Sequence, residues 1–343
     1  MPLREEIFEQ PDVLTRLIAD QGEQFRSIAS EIGRPQGIFI AARGTSDNAA
    51  RFAKYVWGAR NGIPVALAAP SLFSVYHEPP RIRDQLVVGI SQSGESPDLL
   101  AVLAEANRQG SITLAITNHP QSPLAKEADL LIDISAGPEL AVAATKSYTA
   151  QLAAIALLSA AWDSEPRDRA DLEGIPQAVT QVLGKEAQIE GYAARFRSLS
   201  QCVVLGRGYN YATAYEWSLK MKELAYVVAN PYSSADFQHG PIALVTSGFP
   251  VFAIAPSGLV LDELTRLISR LKEELRAETL LLSDNQDLLK EADYPFLLPR
   301  DIPEWLSPLV TIVPAQLFSY HLTITKGYDP DSPRGLNKIT RTR

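Results

Sequence analysis

Apolar residues run along this chain in two alternating rhythms. Short continuous runs, "GIFIAA" (37–42), "IPVALAA" (63–69), "QLVVGI" (85–90), "ITLAIT" (112–117) and "DLLIDI" (129–134), show no polar alternation. Strands buried on both faces read this way, because neither side meets water. Between them, "DNAARFAKYVWGARNG" (47–62) and "PDLLAVLAEANRQG" (97–110) repeat apolar positions three and four apart, the spacing of an amphipathic helix. "TKSYTAQLAAIALLSAAW" (145–162) closes this half as a long helix. Strands of this kind separated by helices predict a parallel sheet covered on both faces.

The chain turns polar at "DSEPRDRADLEGIPQ" (163–177), which reads as a linker. The rhythm then resumes with "CVVLG" (202–206), "FPVFAIA" (249–255), "LDELTRLISRLKEEL" (261–275), "ETLLLS" (278–283) and "YPFLLP" (294–299). "FIAARGTSDNAARFAKYV" (39–56) and "VVLGRGYNYATAYEWSLK" (203–220) share an apolar strand, an Arg-Gly, a polar pair and a helix, so the halves read as a duplicated α/β unit. The expected organisation is two doubly wound, mostly parallel sheets of flavodoxin-like or Rossmann-like α/β type. Residues 1–165 form a first unit with an N-terminal helix, 166–190 a linker with a helix, and 191–343 a second unit with a C-terminal tail.

Composition narrows the function. The 343 residues, 46% of them hydrophobic, suit ordered globular domains, and the net charge of −8 argues against a nucleic-acid partner. The single cysteine, Cys202, excludes an internal disulfide and any CxxC motif, and its apolar neighbours place it in the core. The four histidines (His77, His119, His239, His321) lack metal-ligand spacing, so neither a metal nor another cofactor is expected. The N-terminus has no signal-peptide pattern and no apolar run approaches the roughly 20 residues that span a bilayer, so a soluble, cytoplasmic chain is expected.

The chemistry begins at "ISQSGES" (90–96), where a strand hands over to a helix. Ligands of open α/β sheets sit beyond the carboxyl ends of the strands, where unpaired helix N–H groups favour an anion. Ser91, Gln92, Ser93 and Ser96 add neutral donors, Gly94 lets the backbone come close, and "GTS" (44–46) occupies the equivalent turn of the first strand. An ordinary N-cap serine would explain one of these hydroxyls, but not the cluster. Neither turn carries GxxxxGK[ST] or GxGxxG, so a phosphate monoester fits better than a nucleotide. In the second half, Glu216, Lys220 and Glu223 fall on one helix face beside an apolar stripe of Trp217, Met221, Leu224 and Val228, with Lys222 pointing to solvent. The spacing alone leaves a surface ion pair open. By themselves His239 reads as structural and Lys338 as a solvated charge on an extended, non-helical tail.

Taken together, "GTS", "SQSGES", "ELAVAATKSYTAQ", "SLKMKE", "HGPIAL" and "PRGLNK" resemble the paired sugar-isomerase (SIS) domains of glucosamine-6-phosphate synthase and of related SIS-type deaminases and phosphosugar isomerases. The resemblance runs from about Glu6 to the C-terminus. It implies that Ser46, Ser91, Gln92, Ser93 and Ser96, with Thr45 beside them, hold a sugar phosphate, and that Val142 lines the sugar site. It makes Glu223 the base between C1 and C2 and Lys220 its charged partner. His239 opens the sugar ring from a neighbouring subunit of a homodimer, and Lys338 engages the sugar carbonyl. Two places depart from the synthase pattern: Asn230 and Pro231 stand where it has Glu-Ala, and Asn337, which the resemblance places among the substrate-binding residues, replaces an alanine beside the tail lysine. A chain that starts at the isomerase portion without an N-terminal cysteine is not expected to use glutamine by the synthase route. The function these features imply is a glucosamine-6-phosphate deaminase that yields fructose 6-phosphate and ammonia. Another phosphosugar isomerase or deglycase, ammonia-dependent synthesis, and a non-catalytic sugar-phosphate sensor are the alternatives.

Overall fold

The computed structural model describes residues 1–20, 22–163 and 165–338. The chain forms two compact units. One runs from Glu9 to Pro176 and takes in the tail from Gly335 to Lys338; the other combines Met1–Phe8 with Gln177–Arg334. The N-terminal segment is tied into the latter by the Leu3 N–H, which donates to Asp331 at 2.9 Å, and by Arg4, which grips Glu186 with two bonds of 2.8 and 2.6 Å.

The Glu9–Pro176 unit is built on five parallel strands: β1 (Ile38–Ala42), β2 (Val65–Leu67), β3 (Leu86–Ser91), β4 (Thr113–Thr117) and β5 (Leu130–Asp133), in the order β2-β1-β3-β4-β5. One face packs Ala41, Val87 and Ala115 against Leu99, Val102, Leu103 and Ala106 of the helix Pro97–Gln109. The helices Gly44–Ala59 and Lys146–Asp163 pack on each other over the other face. Lys146–Asp163 is apolar nearly all round, as a helix enclosed by neighbours must be. The strand order reverses between β1 and β3, so the chain leaves these neighbours toward opposite faces and a crevice opens at their carboxyl ends.

The second unit repeats this layout with β6 (Gln201–Gly206), β7 (Val228–Ser233), β8 (Pro250–Ile254), β9 (Glu278–Ser283) and β10 (Tyr294–Leu297), ordered β10-β9-β8-β6-β7. The repetition reaches single bonds. Arg43 (φ −140°, ψ 154°) and Arg207 (φ −145°, ψ 156°) each precede a left-handed glycine, Gly44 at φ 54° and Gly208 at φ 58°. Each arginine pairs at 2.7 Å with an acid in the first turn of the helix after the neighbouring strand, Asp98 and Glu263. Thr113 hydrogen-bonds Asp129 through N–H and hydroxyl, and Thr279 does the same with Asp293.

The stretch expected as a linker with a helix carries the helices Pro166–Glu173, Ile175–Leu183 and Glu186–Arg195. Two local expectations change. The helix after β1 begins at Gly44, since Gly44 itself supplies the turn. Val228 does not continue the apolar stripe: the helix stops at Leu224, Tyr226 takes φ 55°, and Val228 opens β7 with its side chain exposed.

Candidate active site

The β1–β3 crevice of the Glu9–Pro176 unit collects hydroxyl groups whose oxygens already serve as acceptors within the protein. Ser91 Oγ accepts from the Gly94 N–H at 3.0 Å, Ser93 Oγ from the Glu95 N–H at 3.3 Å, and Ser46 Oγ from the Gln151 amide at 3.0 Å. Each therefore keeps its own O–H to donate, which is what an acceptor-only phosphate requires. Ser96 stands at the N-cap of Pro97–Gln109 but makes no side-chain capping bond, whereas Ser122 does cap its helix through Ala125 N–H. The capping explanation thus fails for Ser96. Thr45 and Gln92 lie half-buried in the same two turns, and Ser46 and Ser91 are buried.

Gly94 shapes the turn. It sits at φ 65°, and a Cβ there would lie 2.1 Å from Ser122 Oγ. Gly94→Ala therefore combines a left-handed penalty with overpacking, and should lower stability by about 2–4 kcal/mol while abolishing phosphate binding. Urea denaturation and phosphate-ester titration measure both; a variant with wild-type midpoint and affinity refutes this account.

The crevice connects by hydrogen bonds to the loop after β5. The Gln92 carbonyl accepts from Asn118 N–H at 3.2 Å, and the Asn118 side chain bonds the Gly137 carbonyl and the Ala136 N–H, each at 2.8 Å. Two residues on lies Glu139, whose side chain is wholly buried and pairs with Lys338 of the tail at 2.8 Å. Burial opposes the Glu139 charge, but Lys338 and then the N–H groups of Thr145 and Ser147 outweigh it and hold the carboxyl below its usual range. Val142 follows in this loop, half-buried; Asn337 is exposed and makes no hydrogen bond among the described residues.

In the second unit, Lys220 and Glu223 do meet. Lys220 Nζ lies 2.5 Å from Glu223 and 3.4 Å from Glu216, with Lys220 and Glu216 buried and Glu223 24% exposed on its side chain. The surface ion pair that spacing left open is not what forms. Burial opposes the Lys220 charge, yet Glu223 and Glu216 together raise its ammonium above the usual lysine range. Lys222 is exposed and Cys202 buried, its thiol pushed up by desolvation, both as expected. His239 is exposed, ends the helix Ser234–Gln238, and its ring forms no hydrogen bond or ion pair among the described residues.

Sequence reasoning missed Glu139 and Gln151 as site components. Glu139 stood inside a quoted motif, but its partner is 199 positions away. Among the described residues no group of three or more His, Cys, Asp or Glu is placed to hold a metal, and no helix is long and apolar enough to cross a membrane.

Compared with known proteins, the sequence matches the SIS domain family over residues 32–161 and again over 196–326. It is 36% identical over 344 residues to a glutamine–fructose-6-phosphate aminotransferase (isomerizing) of Thermococcus kodakarensis, covering 97% of this chain and 56% of that protein. The chain thus spans little more than half the length of such relatives. The C-terminal domain of glucosamine-fructose-6-phosphate aminotransferase from Francisella tularensis superposes with a TM-score of 0.86 at 29% identity, covering 97% of this chain and 98% of that one. The glucosamine-6-phosphate deaminase of Thermotoga maritima aligns with a TM-score of 0.78 over 100% of both chains, and at 24% identity the likeness is one of fold.

Proposed function

Because this chain belongs to the SIS domain family, we propose that it interconverts fructose 6-phosphate plus ammonia with glucosamine 6-phosphate plus water: ammonia condenses with the C2 carbonyl, expelling water, and a ketose-to-aldose proton transfer from C1 to C2 turns the resulting imine into the amino aldose. The observation that carries this reading is the crevice between β1 and β3, where three hydroxyls accept from the protein and keep their protons for an anion. The names of the relatives favour the aminating direction, in which fructose 6-phosphate gains nitrogen at C2. The deaminating direction expected from the sequence is the same proton transfer run backwards, so both share one set of groups.

In this reading the phosphate seats on Ser46, Ser91, Gln92, Ser93 and Ser96 and fixes the sugar. Glu223, aimed by Lys220, takes the proton from one of C1 and C2 and returns it to the other through an enol or enolamine. Anchoring the phosphate converts this transfer into an oriented, effectively unimolecular step. His239 opens the ring from a neighbouring subunit of a homodimer, which accords with its exposure. Lys338 meets the sugar carbonyl.

Deuterium wash-in from heavy water reads the proton transfer whatever the nitrogen source. Wild-type protein should label glucosamine 6-phosphate or fructose 6-phosphate at C1 or C2, and end-point assays with ammonium, glutamine or neither then set the direction. No label and no product across a panel of hexose and amino-hexose phosphates would refute the reading. Ser91→Ala removes one charge-assisted bond of about 1.5–3 kcal/mol, so KM should rise about 10- to 150-fold with kcat little changed. A loss confined to kcat would count against a phosphate anchor. Mixing His239→Ala chains with Glu223→Gln chains should restore part of the activity; an inactive mixture of verified dimers rules out the shared histidine.

A further inference from the structure

Glu139 lies in the loop between β5 and the helix Lys146–Asp163. One carboxylate oxygen accepts from the Thr145 N–H at 3.0 Å and the Ser147 N–H at 3.1 Å; the other accepts from the Ser147 hydroxyl at 2.8 Å and from Lys338 Nζ at 2.8 Å. Lys338 also donates to the Ala141 carbonyl at 2.6 Å. Taking the isomerase reading as given, we infer that Glu139 is a positioning residue: a buried seat that fixes the tail ammonium of Lys338 in the orientation in which it meets the sugar carbonyl.

The order of dependence follows from the contacts. Three of the four bonds to Glu139 come from its own neighbourhood, the start of a rigid, buried helix, so the carboxylate is in place whether or not the tail is. The tail is fastened as far as Arg334, whose N–H donates to the Tyr226 hydroxyl at 2.8 Å and whose guanidinium lies 3.8 Å from the Tyr226 ring. The next three residues, 335–337, are exposed and in neither helix nor strand. Among the described residues from 335 onward, the side-chain anchorage is the pair of bonds from Lys338 to Glu139 and Ala141. A lysine at the end of such a stretch loses rotamer and local backbone freedom when it must meet a substrate atom. A charged partner that meets it in advance removes that cost before the sugar arrives.

A helix-capping role for Glu139 alone would explain the bonds to Thr145 and Ser147 and leave Lys338 incidental. The two roles separate in Glu139→Gln, which retains an oxygen for both N–H groups and loses the charge that holds the ammonium. In the intact protein, Glu139→Gln should lower kcat about 10- to 100-fold while KM for the sugar phosphate stays within about threefold, because the crevice at β1 and β3 is untouched. In a Lys338→Met background the same substitution should change kcat by less than about twofold. Glu139→Asp, which keeps the charge, should recover part of the loss. Equal losses with and without Lys338, or a loss carried by KM, would reduce Glu139 to a cap and overturn the inference.

Chemical labelling gives an arm independent of turnover. Because the Lys338 amine is held by Glu139 and the Ala141 carbonyl, its reductive methylation should be at least about threefold faster in Glu139→Gln than in wild type, while the helix Lys146–Asp163 keeps its amide-exchange protection. Unchanged labelling of Lys338, or lost protection in the helix, also overturns it. If wild type shows no deuterium wash-in, it is the isomerase reading that fails, and the labelling result still decides whether Glu139 seats the tail.

Discussion

Lys220→Met should destabilise the protein by about 3–5 kcal/mol, the usual result of breaking a buried ion pair from one side. Lys220 and Glu216 are 1% and 0% exposed on their side chains, and Lys220 Nζ lies 3.4 Å from Glu216 and 2.5 Å from Glu223. Methionine reproduces the lysine stem as far as Cε and lacks the terminal ammonium, so the effect is chiefly that of the lost charge. Glu216 would then remain in a desolvated place without the ammonium that balances it. Lys222→Met on the same helix is the control: its side chain is exposed, and a change within about 0.5 kcal/mol is expected. Urea midpoints of the two variants measure the contrast, and equal midpoints would show that the Lys220 charge contributes nothing to folding.

The pH dependence has a definite sign at each end. Lys220 is raised above its unfolded value, so its contribution is fully present below the ordinary lysine pKa of about 10.4 and declines as pH rises through the higher folded value. Glu139 is lowered, so its contribution is present above the ordinary carboxyl pKa of about 4.3 and is lost as pH falls through the lower folded value. Stability in Glu139→Gln should consequently converge on wild type as pH drops below 4.3, while Lys220→Met remains destabilised there.

Glu223→Gln should lower kcat by about 10²–10⁴-fold, the range for a lost general base, with KM for the sugar phosphate nearly constant. Glutamine is isosteric and can still accept from Lys220, but it cannot take a proton from carbon. Glu223 is the more exposed carboxylate of the pair beside Lys220, so it can reach solvent and ligand where Glu216 cannot. Deuterium wash-in should fall together with turnover. Wash-in within about threefold of wild type would remove Glu223 as the base, whatever happened to overall activity.

Much of this was legible in the sequence, for identifiable reasons. The strands showed because a sheet covered on both faces needs unbroken apolar runs. The crevice showed because Ser91, Ser93, Gly94 and Ser96 fall within six residues of the chain, at the strand-to-helix turn where α/β sheets place their ligands. The fate of Glu216, Lys220 and Glu223 did not show. Their shared face is fixed by helical spacing, but whether that face meets water depends on what packs against it, and here the helix Ser307–Thr325 and strands β6 and β7 close over the stem. The expected linker with a helix holds more than one helix, because Pro166 and Pro176 sit within the first turns of Pro166–Glu173 and Ile175–Leu183, where proline is tolerated.

By itself, then, the sequence determined the two α/β repeats, the hydroxyl turns and the cast of charged residues, since each is written in neighbouring positions or in a fixed helical or strand period. Only the tertiary structure decided which charges lose their water and whom they face. Glu139 meets Lys338 across 199 positions, and Lys220 becomes a buried hub instead of a surface ammonium. Desolvation and long-range pairing are properties of packed neighbours, and no local period of a chain encodes them.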